Sequence, residues 1–366
     1  MKNYLLILSF FTFFISQAQL SNKHWLPPLH ARDESTIQDH YVYLSTAETT
    51  PFQITITTGN GIPIPGSPFT ISQTNPVEVN IGNGQPTDMF LDVTDVNVVK
   101  SDKGLILEGT KDFYVSFRMR HQNHAETLIS KGRPGIGNRF RLGHMINETS
   151  DSRTSFVASV MATENNTTLT LSDYNTNVVF TSGSGDITAD SQSFILNAGQ
   201  SIVFSGYSSL GANLDGALGA LIESSKPVAV NSGNILGGIE YGRADICLDQ
   251  IVSSSQIGDE YIFIEGNGTP EMELPLIIAD QDNTEVFVNG NPIASTTLNA
   301  GDYYFVPNSQ YQGTINRNIY VKTSKPVFSY QLIGGLPDTP TFGSIFIPPL
   351  SCFSQECFYL LSISAI

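Results

Sequence analysis

One short pattern occurs three times in this chain and limits how it can fold. The copies are residues 104–117 (GLILEGTKDFYVSF), 219–232 (GALIESSKPVAVNS) and 318–331 (NIYVKTSKPVFSYQ). Each copy is an apolar run, a short polar stretch with a lysine, and a second apolar run. Because short β-branched and aromatic runs separated by Ser, Thr or Gly are typical of paired strands, each copy predicts two strands joined at a turn. The turns would carry Lys111, Lys226 and Lys325.

Other features recur around these copies in a fixed order. Leu-Asn-Ala-Gly occurs at 196–199 and at 298–301, ahead of the second and third copies. An Asn-Thr pair leads into alternating residues before each of them, in ATENNTTLTL and in ADQDNTEVFV. The proposed unit openings are Asp39-His40-Tyr41, Asn138-Arg139-Phe140 and Asp259-Glu260-Tyr261. Several anchors in one order predict a repeat architecture.

The composition favours an all-β fold. Only 14% of the residues are charged, against roughly a quarter in ordinary globular proteins. Turn-forming Thr, Ser, Asn and Gly are abundant instead. No apolar period of 3.6 residues persists, so helix is expected only in short turns. Units of about 100 residues are most consistent with sandwich-like β units, each with its own core. The alternative is a propeller or barrel built from the repeats.

The chain is expected to divide into a leader, three units and a tail. Lys2, an apolar run and Ser16-Gln17-Ala18 are typical of a secretory signal peptide, which also favours a bacterial protein. No later stretch is long and apolar enough for a transmembrane helix. The predicted segments are 1–18 (signal peptide), 19–38 (irregular lead-in), 39–136, 137–257 and 258–351 (β units), and 352–366 (tail).

The connectors and the tail carry the three cysteines. Cys247-x-x-Gln250 and Cys352-x-x-Gln355 match in spacing, which suggests equivalent positions after the second and third units. A Cys352–Cys357 disulfide and isolated thiols are both compatible with the sequence. The tail is apolar and lacks another Gly-x-x-Tyr opening, so it suggests a fragment of a longer protein.

The net charge of −16, from 18 basic and 34 acidic residues, argues against a nucleic-acid partner. Seven of the basic residues nevertheless lie between positions 118 and 153. Arginine forks pair well with carboxylate and sulfate groups, so this cluster predicts a site for an anionic ligand such as an acidic glycan. The candidate ligand-binding residues are Arg118, Arg120, Arg133, Arg139 and Arg141. The competing interpretation is that they form the solvated faces of two strands.

No catalytic, metal or cofactor site is predicted. His121-x-x-His124 lacks the third ligand and the general base of a zinc enzyme. The chain has no Gly-x-Ser-x-Gly elbow and no phosphate-binding glycine loop that opens a helix. A carboxylate pair that hydrolyses glycans cannot be recognised from spacing, so a secreted hydrolase is the alternative function.

Taken in order, these motifs resemble one known family. ATENNTTLTL, Leu-Asn-Ala-Gly, SSKPVAVNSG, Cys-x-x-Gln and Gly-Asp-Glu-Tyr are together similar to the IgGFc-binding protein N-terminal domain, over about residues 39–356. The resemblance implies a secreted or cell-surface, non-enzymatic binding or adhesion protein. Its partner would be an extracellular protein or glycan. It provides no binding residue that can be carried over.

Overall fold

The described part of the chain is built almost entirely from β-strands. A computed structural model describes residues 20–31, 37–121, 124–147, 153–240, 243–270, 273–336 and 339–350. Its helices are one short α-helix, α1 (Gly132–Gly135), and four single 3-10 turns. The 3-10 turns are Val93–Asp95, Gly211–Asn213, Ser254–Gln256 and Asn308–Gln310.

The strands form three seven-stranded sheets, here called the first, second and third units, and one small parallel pair. The first unit contains β1 (Ser21–Leu26), β3 (Gln38–Ser45), β4 (Phe52–Thr58), β5 (Phe69–Ile71), β6 (Val77–Gly82), β8 (Leu105–His121) and β9 (His124–Ile129). The pair is β2 (Leu29–His30) with β7 (Phe90–Leu91). The second unit contains β10 (Gly137–Arg141), β11 (Ser155–Ala162), β12 (Thr167–Ser172), β13 (Gln192–Leu196), β14 (Ser201–Tyr207), β15 (Leu221–Glu240) and β16 (Arg243–Ile251). The third unit contains β17 (Gly258–Ile264), β18 (Pro275–Ala279), β19 (Thr284–Val288), β20 (Thr296–Leu298), β21 (Tyr303–Phe305), β22 (Asn318–Leu336) and β23 (Thr339–Phe346).

The three sheets share one strand order. In the first unit it is β5-β4-β8-β3-β6, and β1 and β9 also pair with β8. The second and third units repeat this order around β15 and β22. Each sheet curls around its long central strand into a near-barrel. The predicted all-β fold is therefore confirmed, and its repeated sheets have the barrel-like form that was the alternative to sandwich-like units.

Each threefold sequence pattern forms one long strand and not a pair of strands. The first half of β8 pairs with β1 and β4, and its second half pairs with β3 and β9. Between the halves the pairing with β1, β10 or β17 shifts register, and we call this irregular polar stretch the bend. There the hydroxyls of Ser224 and Thr323 donate to the carbonyls of Lys226 and Lys325, each at 2.7 Å. The prediction of two strands joined at a turn is therefore wrong. The polar residues of the bend are the types that also form turns, so the sequence pattern did not distinguish the two.

The repeated lysine has a structural role in all three bends. Its ammonium group reaches the loop that connects the two strands flanking the long strand, namely β3–β4, β11–β12 or β18–β19. The contacts are Lys111 Nζ with Glu48 Oε2, Lys226 Nζ with Asn165 O, and Lys325 Nζ with Asp282 O. The lysine thus fixes this connecting loop against the middle of the long strand.

The second half of β8 has the predicted half-buried alternation. Phe113, Val115, Phe117 and Met119 are buried in the core of the first unit. The residues between them point to the other side of the sheet, because successive side chains on a strand alternate. This prediction is confirmed, and it leaves Tyr114 and Arg118 on the outer surface.

The predicted irregular lead-in contains a strand, which is a correction. β1 pairs with β8 in the register that β10 has with β15 and β17 has with β22. One cross-strand ion pair recurs at the same place in each unit. The pairs are Lys23–Glu108, Arg139–Glu223 and Lys322–Glu260. The opening strand of the first unit is therefore β1. The proposed opening Asp39-His40-Tyr41 lies in β3, the counterpart of β11. Where the boundaries between units lie stays a prediction.

The proposed equivalence of the cysteine connectors is also wrong. Cys247 lies in β16, which pairs with the second half of β15. The strand in that position of the third unit is β23, which ends before Cys352. Cys247 is buried as a free thiol, and burial raises its pKa. Cys352 and Cys357 lie outside the described residues, as do the predicted signal peptide and tail.

Successive units pack tightly, and glycines lie at the contacts. The Leu-Asn-Ala-Gly turns end in Gly199 and Gly301, both with positive φ. Gly199 lies against Gly59 of the first unit, and Gly301 lies against Gly219 of the second. The recurring tetrapeptide therefore marks the surface through which a unit contacts the one before it.

Substituting Gly199 by alanine should lower the free energy of unfolding by about 3 kcal/mol or more, because the added Cβ overlaps the Gly59 carbonyl oxygen. Gly61→Ala is the matched control, since Gly61 has a similar φ and open space around it. Left-handed backbone alone costs alanine about 1 kcal/mol. Chemical denaturation of both variants measures the difference, and equal losses would contradict a tight junction.

Candidate functional site

The outer surface of the first unit carries a cluster of two half-buried tyrosines, one exposed tyrosine and an exposed arginine. Tyr41 and Tyr43 lie on β3, and Tyr114 and Arg118 lie on β8. The register pairs Tyr41 with Arg118 and places Tyr43 beside Ser116, so these side chains share one side of the sheet. We call this surface, defined by Tyr41, Tyr43, Tyr114 and Arg118, the tyrosine face.

The side chains of the tyrosine face are held by contacts with one another and with nearby acids. The Arg118 guanidinium lies 4.3 Å from the centre of the Tyr43 ring, a cation–π contact. A hydrogen bond to Glu78 raises the pKa of the Tyr43 phenol, so the hydroxyl stays protonated. At the border of the face, Arg120 Nε donates to Asp39 Oδ2 at 2.6 Å. The face is thus ordered before any partner binds.

The same surface is buried in the other two units. Tyr114 occupies the register position of Ala229 in β15 and of Phe328 in β22. Tyr114 is 39% exposed, whereas Ala229 and Phe328 are 3% and 0% exposed, because a preceding unit covers them. Among the described units, none packs on the copy of this surface in the first unit, where Tyr114 and Arg118 are exposed.

The remaining candidate arginines lie away from this face. Arg133 is exposed, donates to Asn22 Oδ1 at 3.0 Å and lies 5.9 Å from the Trp25 ring centre. Arg139 and Arg141 lie at the junction between the second and third units, where both contact the Asp280 carboxylate.

Arg141 is unsuited to an external ligand. It is 1% exposed, and it also donates to Asp173 Oδ2 at 2.9 Å and to Gly219 O at 3.0 Å. Its guanidinium donates to groups inside the protein and links the second unit to the third. The structure therefore brings Arg118 and Arg120 together on one surface but does not bring all five arginines into one site.

Sequence reasoning missed a buried polar seam where all three units meet. Lys131 Nζ donates to both oxygens of Asp249, at 3.1 and 2.9 Å, and both side chains are almost fully buried. Asp249 also accepts from the Phe346 amide of β23 at 3.1 Å. Burial raises the pKa of Asp249 and of the neighbouring Glu126. The contacts are between strands that are distant in sequence, so no local pattern could have revealed them.

The comparison with protein families identifies the chain. A family model described as IgGFc binding protein matches residues 125–361, which is more than half of the chain. The chain belongs to the IgGFc-binding protein family. This confirms the predicted resemblance. No curated protein and no solved structure matches the chain significantly.

Membership in the IgGFc-binding protein family indicates a binding protein, with a protein partner and typically an extracellular location. The match begins at residue 125 and so covers the second and third units. The tyrosine face lies ahead of the matched residues. Within the described ranges, no helix is long and apolar enough to cross a bilayer.

Two features of the described residues bear on catalysis, a histidine–aspartate contact and a cavity near β6. Among the described residues, no group of three or more His, Cys, Asp or Glu side chains is placed to hold a metal ion. His124 Nδ1 lies 3.2 Å from Asp245 Oδ1, and the side chain of His121 lies outside the described residues. A cavity of about 180 Å³ near β6 is lined by Ile64, Pro65, Asn80, Ile81, Gly82 and Asp88. Its lining contains one carboxylate, whereas glycoside hydrolysis uses two.

Proposed function

We propose that this chain is a secreted or cell-surface, non-enzymatic binding protein of the adhesion type. Its partner is an extracellular protein, which binds to the tyrosine face. Export by residues 1–18, as in a bacterial protein, belongs to the same proposal, since that segment has the pattern of a signal peptide. The observation that carries the proposal is the exposed Tyr114 on a surface that the other units bury.

The residue types on the tyrosine face favour protein binding. Tyrosine and arginine are enriched where protein interfaces have most of their binding energy, because they offer large apolar area and polar ends. A tyrosine loses little conformational entropy on binding, since it has only two side-chain torsions. The strands beneath are packed on the core of the first unit, so the backbone needs no rearrangement.

The rival function, a secreted glycan hydrolase, has less support. The cavity near β6 presents Asp88 without a second lining carboxylate. Binding of a glycan through Arg118 and Arg120 is a second form of the binding proposal. A combined protein and glycan array distinguishes these partners.

The array experiment uses the chain without residues 1–18, and any partner found is measured against a double variant, Tyr43→Ala with Tyr114→Ala. We expect affinity to fall at least about 30-fold, as truncating two hot-spot tyrosines typically costs 2 kcal/mol or more. Ile195→Ala is the control, since Ile195 is exposed on β13, away from this face. Unchanged affinity in the double variant would place the binding site elsewhere.

A further inference from the structure

The third unit exposes an apolar surface at the opposite end of the stack. Ile262 and Ile264 point outward from β17, and Tyr320 lies beside Ile262 on β22. We call this surface, defined by Ile262, Ile264 and Tyr320, the isoleucine face. Ile262 is 44% exposed and Ile264 is 59% exposed, so two large apolar side chains lie side by side on this surface of β17.

The equivalent positions in the first two units are covered. The register places Ile262 where β1 has Trp25 and β10 has Arg141. Trp25 is 5% exposed and packs on Met161 and Ala229 of the second unit. Arg141 is 1% exposed and is held by the third unit. The isoleucine face is thus the one copy of this surface, among the described units, without a following unit.

Both junctions are closed in the same way by the unit that follows. Its outer sheet surface, the counterpart of the tyrosine face, lies over the opening strand of the unit before. Polar side chains on that surface donate to carbonyl groups of the covered strand region. Tyr330 Oη donates to Arg141 O at 2.7 Å, and Asn231 Nδ2 donates to Pro27 O at 3.0 Å.

The two uncovered surfaces are the two halves of one such junction. Tyr43 lies at the register position of Ser159 and Leu276, which are both buried in the existing junctions. We propose that the isoleucine face of one chain binds the tyrosine face of a second copy, so that chains associate head to tail. This proposal rests on the proposed function, in which the tyrosine face binds a protein, and it identifies that protein as a second copy of the chain.

The chemistry of the two faces fits this contact. The isoleucine face offers apolar area, and the tyrosine face offers aromatic rings, with the exposed Tyr114 hydroxyl able to donate to a carbonyl of β17. Because the two surfaces differ, the contact is heterologous and repeats from copy to copy until a ring closes or a filament grows. Adhesion proteins gain strength from such assembly, since linked copies bind a surface multivalently.

Two single variants test the proposal by complementation. Ile262→Glu blocks the isoleucine face and Tyr114→Glu blocks the tyrosine face, and both sites are exposed, so folding should be retained. Light scattering coupled to gel filtration measures mass against concentration for the chain without residues 1–18. We expect the parent chain to grow beyond a dimer, each variant alone to stay monomeric, and an equal mixture to form dimers only.

Every outcome of this experiment is decisive. Ile195→Glu, on an exposed residue outside both faces, should assemble like the parent chain. A parent chain that stays monomeric up to its solubility limit overturns head-to-tail association, as does assembly that survives both single variants. Dimers of Tyr114→Glu alone would indicate a symmetric contact between isoleucine faces and also overturn it. The array measurement with the Tyr43 and Tyr114 double variant can still succeed in these cases, so the two proposals fail separately.

Discussion

Replacing Lys131 by methionine should lower the free energy of unfolding by about 3–5 kcal/mol, because it leaves a buried carboxylate without its cation. Lys131 and Asp249 are each 7% exposed at the side chain. Methionine retains most of the aliphatic chain of lysine, so the decrease in the free energy of unfolding comes mainly from the missing positive charge. Equilibrium denaturation near neutral pH measures it.

The pH dependence of the Lys131 variant identifies the cause. Burial already raises the pKa of Asp249 while Lys131 lowers it, so the variant should raise that pKa further. A folded state that binds a proton more tightly than the unfolded state gains stability as the pH falls. The deficit of the variant relative to the parent chain should therefore shrink toward acidic pH.

Lys23→Met is the matched control for Lys131→Met. It removes an ion pair with Glu108 that is exposed to solvent, and exposed pairs contribute less than about 1 kcal/mol. A loss at Lys131 no larger than the loss at Lys23 would show that the seam does not hold the three units together.

The sequence was sufficient for the fold class and the repeat because its anchors lie at fixed places. Lys226 and Lys325 each hold the loop that connects the two strands flanking the long strand, and Gly199 and Gly301 make the same contact with the preceding unit. Such residues cannot vary freely without disturbing a bend or a junction. They recur where the structure recurs, which is why the order of motifs indicated three units.

The sequence was misleading where one residue type serves two geometries. Ser, Thr, Lys and Pro satisfy the backbone of a turn and of a bend equally well, so the long strands were divided in two. β1 was missed because its inward residue is His24, where β10 and β17 have Phe140 and Tyr261. Because histidine is polar, a pattern of apolar core residues does not include it.

The sequence predicted which residues of the candidate site point outward, but not which of them are exposed. Alternation along β8 placed Tyr114 and Arg118 outside, but it could not show whether another unit covers them. Coverage depends on how the units stack, which is set by contacts such as Gly199 with Gly59, about 140 residues apart in the chain. The clustering of Arg139 and Arg141 with Asp280 is likewise a contact between units.

Acidification from pH 7 to about pH 4 should destabilise the chain through two buried histidines. Burial lowers the pKa of His24 and of His144 from 6.5 to about 4. Above pH 6.5 both are neutral whether the chain is folded or unfolded. Below it, the unfolded chain takes up protons that the folded chain does not, so stability falls by up to about 3 kcal/mol per histidine as the pH approaches 4. Glu126 and Asp249, whose pKa values burial raises, act in the opposite direction and offset part of the loss.

His144→Phe should flatten this pH profile without a large cost at neutral pH. The His144 ring stacks on Phe156, a contact that phenylalanine can keep. The His144 Nδ1 is hydrogen-bonded to the Met145 carbonyl. In the variant this carbonyl still accepts a hydrogen bond from Asn234 Nδ2, at 3.2 Å. The variant lacks the imidazole that binds a proton only when the chain unfolds. Its stability should therefore fall less steeply between pH 6.5 and 4 than that of the parent chain. Denaturation at a series of pH values measures both slopes. Parallel profiles for the two proteins would mean that His144 is not the group that makes the fold sensitive to acid.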